Sequence, residues 1–386
     1  MTQIGIVGGG FGGLYTALHL SRLPWRQRPE VVLLERNDRF VFSPLLYEVV
    51  TEELPEWEVA PEYMDLLRGT NVLFVQSEVT AVETDSQHLR LADGRRLNWD
   101  YLVLATGCET PLAVPGAREY ALPFRTLADA RCLHQKLTEL EQSQREKIRV
   151  CIVGGGASGI ELACKLADRL GERGRVRILD RNRSLLMRGL PANREAAVKA
   201  LDQRNVWRDL GTQVIEVRPD EIVLDYGQGT DTLPTDLVLW TVGNRAPQLL
   251  QDLDLPKVGD RLHIEPTLRV AGQPTVFALG DGATDNTGQP ATAQVAIQQA
   301  QYCAWNLWRA IAGQPLVDFR YVPLGEFLSL GKGVASLTTW GNLHGAGAWA
   351  DVVRRGAYLF RMPTPPHRAR VGWTWLTALG SPRAGA

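Results

Sequence analysis

The sequence predicts an α/β chain built from two doubly wound units, and three observations carry that prediction. An apolar run, residues 4–7, leads into Gly8, Gly10 and Gly13 at G-x-G-x-x-G spacing, and a helical pattern follows (Leu14, Ala17, Leu18). The same arrangement returns at residues 149–153, followed by Gly154, Gly156 and Gly159. Each is succeeded by an apolar run that closes on an acid: Glu35 stands 22 residues after Gly13, and Asp180 stands 21 residues after Gly159. In this spacing the first glycine allows a tight turn, the second lets backbone approach a pyrophosphate, and the third lets helix and strand pack closely. The acid accepts hydrogen bonds from a ribose. The helix N-terminus adds free N–H groups and the positive end of its dipole. One such turn is also found in ordinary βα connections; two with matching acids form an internal repeat. The units are therefore read as Rossmann-like dinucleotide-binding domains.

Composition sets the bounds. A chain of 386 residues is long enough for two or three domains. A formal net charge of −1 argues against nucleic acid as a partner. The five cysteines, Cys108, Cys132, Cys151, Cys164 and Cys303, show neither C-x-x-C nor zinc-ligand spacing, and the six histidines are dispersed, so no metal site is expected. Scattered cysteines in odd number suit reduced thiols in a cytosolic compartment. A strand opening at Gln3 or Ile4 leaves no room for a signal peptide, and no apolar run nears the ~20 residues of a membrane span.

In order along the chain, residues 1–35 form a βαβ unit. Residues 40–47 (Phe-Val-Phe-Ser-Pro-Leu-Leu-Tyr) carry a proline among exposed-looking apolar side chains, which suits a loop against a flat ring or a loop that plugs the core. Residues 73–75 read as a strand. Residues 89–97 read as a hairpin on the Asp93-Gly94 turn. Residues 101–107 are a buried strand ending in Ala105-Thr106-Gly107, after which Pro111 and Pro115-Gly116 break the chain and mark a crossing between domains. A polar helix spans 127–147. Residues 176–179 form the strand before Asp180, and 236–243 echo 102–107. The chain then returns with a strand at 275–282 containing Gly280-Asp281, and a helix at 294–311 that Gly313 and Pro315 end. The expected division is 1–112 and 255–315 for the first domain, 113–254 for the second, and a distinct segment at 316–386.

That last segment has 8 Arg and Lys against 3 Asp and Glu, and six of the chain's eleven tryptophans lie at or after Trp305. At 100° per residue, Leu359, Val352, Phe360, Val353 and Ala357 share one arc, and Arg361, Arg354, Asp351 and Arg355 the opposite one. Basic charge with interfacial aromatics (Arg368, Arg370, Trp373, Trp375) suits an anionic membrane surface. A helix packed on the protein body, or a homodimer contact, explains the same pattern.

Together these residues resemble the two-dinucleotide-binding-domain flavoproteins, over roughly residues 1–312. The resemblance implies FAD on the first unit and NAD(P)H on the second, with Glu35 at the adenosine ribose of FAD and Asp281 at the ribityl chain. It further implies cofactor contacts at Gly8, Gly10, Phe11, Gly12, Gly13, Arg36, Pro44, Leu45, Val79, Ala105, Thr106, Gly107, Gly280, Gln294, Val295 and Ala296. On the second unit it implies contacts at Gly154, Gly156, Ser158, Gly159, Asp180, Arg181, Val242 and Gly243. Disulfide reductases carry a cysteine pair where residues 40–47 have none. Residues 293–300 (Ala-Gln-Val-Ala-Ile-Gln-Gln-Ala) are instead similar to the quinone-site helix of type II NAD(P)H dehydrogenases, with Ala300 in place of the usual glycine and so less room beside the flavin. Gly159-Ile160-Glu161 also matches that family, whose glutamate lies near nicotinamide and flavin. The resemblance thus points to Glu161, Gln298 and Gln299 as catalytic. Alternatively, Glu161 pairs with Lys165 at i, i+4, and the two glutamines lie on a solvated helix face.

Residues 47–50 and 57–58, Pro323-Leu324-Gly325-Glu326, Leu330-Gly331 and 361–368 resemble the demethylphylloquinone reductase branch, which extends the likeness over nearly the whole chain. It implies hydride transfer from NAD(P)H to FAD, then two-electron reduction of a prenylated naphthoquinone in phylloquinone synthesis. The expected place is peripheral, on the cytoplasmic face of a membrane (thylakoid or plasma membrane in a cyanobacterium). Asp180 favours NADH by repelling a 2′-phosphate, whereas Arg181 and Arg183 can pair with one. With the branch resemblance the balance goes to NADPH, with NADH the weaker donor. Competing readings are a general respiratory-type quinone dehydrogenase, a sulfide:quinone reductase using Cys164 and Cys303, and a slow flavin-bearing NADH sensor.

Overall fold

The computed structural model describes residues 1–339 and 343–379. The chain divides into two compact units, one of residues 1–40, 61–109 and 244–323, the other of residues 41–60, 110–243 and 324–386. The Trp340 part of the tryptophan count lies outside the described residues.

The first unit is built on a five-stranded parallel sheet in the order Val276–Ala278, Tyr101–Leu104, Gln3–Val7, Glu30–Glu35, Val72–Gln76. Its strands are short and apolar because both faces are covered, as parallel sheets require. The helices Phe11–Leu20 and Ala293–Ile311 pack together through small residues. Ala296, Ala300 and Ala304 are buried, and the Thr16 hydroxyl reaches the Ala300 carbonyl at 3.5 Å. An antiparallel layer, Val79–Glu83, His88–Leu91 and Arg96–Asn98, contains the expected Asp-Gly hairpin.

The second unit repeats this plan. Its parallel sheet runs Trp207–Leu210, Gly174–Asp180, Ile148–Val153, Leu237–Trp240, Ala121–Pro123. Its antiparallel layer is Gln213–Val217, Glu221–Asp225 and Thr230–Pro234. One strand differs in chain position: Ala121–Pro123 precedes the sheet's first long strand, whereas its counterpart Val276–Ala278 closes the first unit. The helix expected over 127–147 starts at Leu127 behind a Thr126–Asp129 capping box and ends at Gln142. It stops short because Ser143 turns extended and Ile148 already belongs to the next strand.

Two stretches depart from expectation. Residues 40–47 plug the core, the second of the two readings given for them, and are more than a loop. Ser43–Leu45 is a 3-10 turn and Leu46–Val50 a helix, and Leu45, Leu46 and Tyr47 are buried. Leu46, Tyr47, Val50 and Ala60 join the core around Ile160 and Cys164, which is why residues 41–60 belong to the second unit. The segment expected at 316–386 does not stand apart either: from residue 324 it is part of the second unit. It opens with an antiparallel sheet, Glu326–Ser329, Ala335–Thr339 and Leu343–Gly347, and continues as the helices Ala348–Arg361 and Pro365–Leu379. Among the described residues no helix is long and apolar enough to cross a membrane.

Candidate active site

The two glycine turns have one geometry. A side chain on Gly13 would place its Cβ 1.8 Å from the Gly8 carbonyl oxygen, and one on Gly159 would meet the Gly154 carbonyl oxygen at 1.9 Å. Gly8 and Gly154 take φ of +99° and +121°, where only glycine is unstrained. At the middle positions, Gly10 and Gly156, an added Cβ meets nothing within 4 Å. That open face is where a pyrophosphate would sit. The helices that follow carry no acid in their first turns and no side-chain cap, so their N–H groups face it unopposed.

The acids are held alike. Glu35 accepts from the Gly9 N–H at 2.8 Å, and from the backbone and side-chain nitrogens of Asn37 at 3.0 and 2.7 Å. Asp180 accepts from the Gly155 N–H at 2.6 Å, and from the backbone and side-chain nitrogens of Asn182 at 2.7 and 2.8 Å. Each carboxylate is thereby fixed at the lip of its turn, with lone pairs left for ribose hydroxyls. The two asparagines were missed from sequence, although Glu-Arg-Asn and Asp-Arg-Asn (35–37 and 180–182) repeat visibly. Tyr63 was missed as well: its hydroxyl donates to the Gly9 carbonyl at 2.8 Å and its ring stacks on Phe74.

In the first unit a small cleft is lined by Gly280, Asp281, Thr284, Val295 and Gln299. The Thr106 hydroxyl is buried without a partner among the described residues. An orphaned hydroxyl, an aspartate on a cleft and a glycine cradle fit the ribityl and pyrophosphate parts of FAD, and Gly154, Gly156, Gly159 and Asp180 fit a second dinucleotide. Val79, Ala105, Val295 and Ala296 are buried in the first unit, and Arg36 is exposed there. Ser158 lies exposed in the first turn of Ala157–Leu170, and Arg181 is exposed beside Asp180. Gly243 turns at φ +89° against Pro111. Pro44 and Leu45 fall in the second unit, and the Leu45 side chain is fully buried, so it has no surface left for a ring. Ala300 is likewise spent on helix packing against Thr16 rather than beside a cofactor.

Gln298 and Gln299 do not lie on a solvated face. Gln298 ties down the irregular segment that follows, donating to the Val322 carbonyl at 2.9 Å and accepting from its N–H at 3.0 Å. Gln299 is buried and accepts from the Gly280 N–H at 2.8 Å, which holds the turn that carries Asp281. Gln294 accepts from the Tyr321 hydroxyl at 2.6 Å.

Glu161 is not paired with Lys165 on a surface. Both are buried, and Lys165 pairs with Glu53 at 2.5 Å. Glu161 Oε1 accepts from the Ser329 N–H at 3.0 Å and from the Tyr47 hydroxyl at 3.2 Å. Burial pushes its carboxyl up to about 7, against the Ser329 hydrogen bond and the Arg354 charge, which favour the anion. A carboxyl poised there exchanges a proton at neutral pH. Cys164 and Cys303 belong to different units and both are fully buried. Burial pushes the Cys164 thiol up to about 12 and raises that of Cys303, so neither offers the thiolate that sulfide chemistry needs.

The amphipathic helix Ala348–Arg361 turns its apolar arc outward. Its charged arc faces inward, with Asp351 and Arg354 buried, while Val352 and Phe360 are 71% and 69% exposed. The helix does pack on the protein body, but through Ala350, Asp351 and Arg354, with only Ala357 and Leu359 of the apolar arc half-buried.

With this geometry in place, the profile of the pyridine nucleotide-disulphide oxidoreductases matches residues 2–300. The chain belongs to that family. It is 47% identical over 97% of its length to a demethylphylloquinone reductase of a Synechocystis species, covering 96% of that protein. It is 38% identical over 97% of its length to an alternative NAD(P)H-ubiquinone oxidoreductase, chloroplastic/mitochondrial, of Arabidopsis thaliana, covering 80% of it. Among solved structures, NDH2 of Plasmodium falciparum in complex with NADH matches with a TM-score of 0.83 at 18% identity, over 95% of this chain and 96% of that one. The matched residues take in most of the first unit and the 41–60 and 110–243 parts of the second.

Proposed function

We propose that this chain is an FAD-dependent NAD(P)H:quinone oxidoreductase that reduces a prenylated naphthoquinone, demethylphylloquinone, in phylloquinone synthesis. The observation that carries the quinone assignment is the near full-length 47% identity to the Synechocystis reductase. The two acid-locked glycine turns support one dinucleotide on each unit. FAD would be held by Gly8, Gly10, Gly13, Glu35, Thr106 and Asp281, and NAD(P)H by Gly154, Gly156, Gly159 and Asp180. A flavin held there would supply two-electron transfer between the nicotinamide and the quinone. This chain's residues orient and exclude water. Quinone reduction also takes up protons, and Glu161 is the group placed to hold and move one: Oε1 is anchored by two donors, and Oε2 has no partner among the described residues. Gln299 positions the Gly280-Asp281 turn.

NADPH is the preferred donor in this reading, since Arg181 and Arg183 stand exposed beside Asp180 without an acid partner among the described residues. The chain sits peripherally on the cytoplasmic face of a membrane, through the exposed apolar arc of Ala348–Arg361 together with Trp373 and Leu376, 70% and 67% exposed. A membrane-resident prenylated quinone and such a face suit one another.

The test is spectroscopic. The protein is purified with detergent and its visible spectrum followed anaerobically while NADPH or NADH is added, and then a demethyl naphthoquinone. Rapid bleaching by NADPH and rapid reoxidation by the naphthoquinone is the expected result. Bleaching without reoxidation overturns the quinone assignment and leaves the sensor; lack of flavin after reconstitution with FAD overturns the whole reading.

A further inference from the structure

The second unit buries an unusual number of charges around Glu161. Glu48, from Leu46–Val50, is fully buried between Arg354, at 2.5 Å, and Arg355, at 2.9 Å. Arg354 also pairs with Asp351 at 2.6 Å, and Arg355 with Asp351 at 3.2 Å. Lys165, from the same helix as Glu161, answers Glu53. Three anions thus meet three cations, and among the described residues no cation pairs directly with Glu161. Glu58, the next acid in this region, is satisfied by the Trp375 indole N–H at 2.6 Å. What reaches Glu161 is a neutral hydroxyl. Tyr47 donates to Oε1 and itself accepts from Arg354 Nη1 at 3.1 Å, while the Arg354 guanidinium lies over the Tyr358 ring.

We propose that Tyr47 and Arg354 are positioning residues for Glu161, forming a two-hydrogen-bond relay through which the seating of the helix Ala348–Arg361 is felt at the Glu161 carboxyl. The proposal rests on the reading of Glu161 as the proton-handling group. A guanidinium donating to a phenol polarises its O–H, and a polarised O–H binds a carboxylate better than a carboxylic acid. The relay therefore favours the ionised carboxyl, against the desolvation that favours the neutral one. Arg354 comes from the helix whose outer arc is apolar and exposed, so a displacement of that helix reaches Glu161 through one side chain. This gives the buried charges a purpose that stability alone does not supply, since a buried ion network is weakly stabilising at best.

The test reads the carboxyl directly. Infrared difference spectra of the oxidised, flavin-bearing protein are recorded against pH, with the protonated-carboxyl band of Glu161 assigned by its loss in Glu161→Gln. The parent midpoint is expected at about 7. Tyr47→Phe removes the hydroxyl with little change of shape and is expected to raise the midpoint by about one unit. Arg354→Lys keeps the charge but loses the fork; it is expected to raise the midpoint in the parent and to add nothing in the Tyr47→Phe background. A midpoint unmoved by Tyr47→Phe overturns the relay, as does an Arg354→Lys shift of equal size in both backgrounds. Should Arg354→Lys fail to fold, Tyr47→Phe decides alone. The pH profile of kcat for quinone reduction separates the two claims. If its limb survives in Glu161→Gln, the functional reading of Glu161 fails, while the infrared shift still decides the relay.

Discussion

Replacing Val352 and Phe360 together by serine tests the outward arc of the C-terminal helix. Full transfer of a valine or phenylalanine side chain out of water is worth about 1.5–3 kcal/mol. At 71% and 69% exposure, the pair contributes about 3 kcal/mol to docking on a bilayer, roughly a hundredfold in partition. Because both side chains already face water in the protein, the same change is expected to leave folding untouched, with a shift within about 0.5 kcal/mol. The assay is co-sedimentation with vesicles of anionic lipid, alongside thermal unfolding of the same samples. Turnover of a water-soluble quinone should persist, while turnover of a prenylated quinone delivered in vesicles falls with binding. Vesicle binding that changes less than twofold refutes the reasoning. So does a substantial loss of Tm, which would mean the arc is covered by protein. A parent that is dimeric and a variant that is monomeric, with no vesicle binding by either, assigns the face to a second copy.

Three further outcomes are expected. Gly159→Ala forces its Cβ to within 1.9 Å of the Gly154 carbonyl; it should weaken NAD(P)H binding at least tenfold by stopped-flow or equilibrium titration while the flavin spectrum remains. Arg181→Ala with Arg183→Ala should lower kcat/KM for NADPH roughly tenfold and leave that for NADH within about twofold, as a lost charge-assisted phosphate contact does; equal losses for both donors argue against a 2′-phosphate site. Glu161→Gln should alter stability with a definite sign. The folded carboxyl titrates near 7, above its ordinary 4.5, so the folded state holds that proton more tightly, and the associated stability is present below the lower value and lost as pH rises through the upper one. The glutamine variant should therefore be more heat-stable than the parent above pH 7, by up to about 3 kcal/mol, and equal to it under acid conditions. Melting curves across pH read this directly.

Much of the fold was legible because parallel strands buried on both faces read as unbroken apolar runs, and because glycine spacing encodes a steric fact. Gly13 and Gly159 admit no side chain against the carbonyls they cross. The antiparallel layer at 213–234 was not read, since its short strands are joined by residues 218–220 (Arg-Pro-Asp) and 226–229 (Tyr-Gly-Gln-Gly) with no Asp-Gly turn, whereas its counterpart at 79–98 has one. The environment of Glu161 was beyond reach for another reason. Tyr47, Ser329 and Arg354 lie 114, 168 and 193 residues from it, and nothing local in Leu46–Val50 announces that its tyrosine and glutamate point inward.

The C-terminal helix shows where periodicity stops being informative. A two-sided pattern fixes which residues share a face but leaves open which face is inside; the usual answer is the apolar one. Here that answer fails because Glu48 and Glu53 are already buried in the same unit and require cations. Arg354 and Arg355 supply them, with Asp351 fixing the guanidinium groups. Once the charged arc is drawn inward, the apolar arc must go outward, and a face carrying Val352 and Phe360 against water is unfavourable unless something apolar covers it. The inward charges and the outward hydrophobes are thus one arrangement with one cause. Arg354, one of the arginines that turn the helix over, also donates to the Tyr47 hydroxyl, so the side that faces inward is the side that reaches the Glu161 partner.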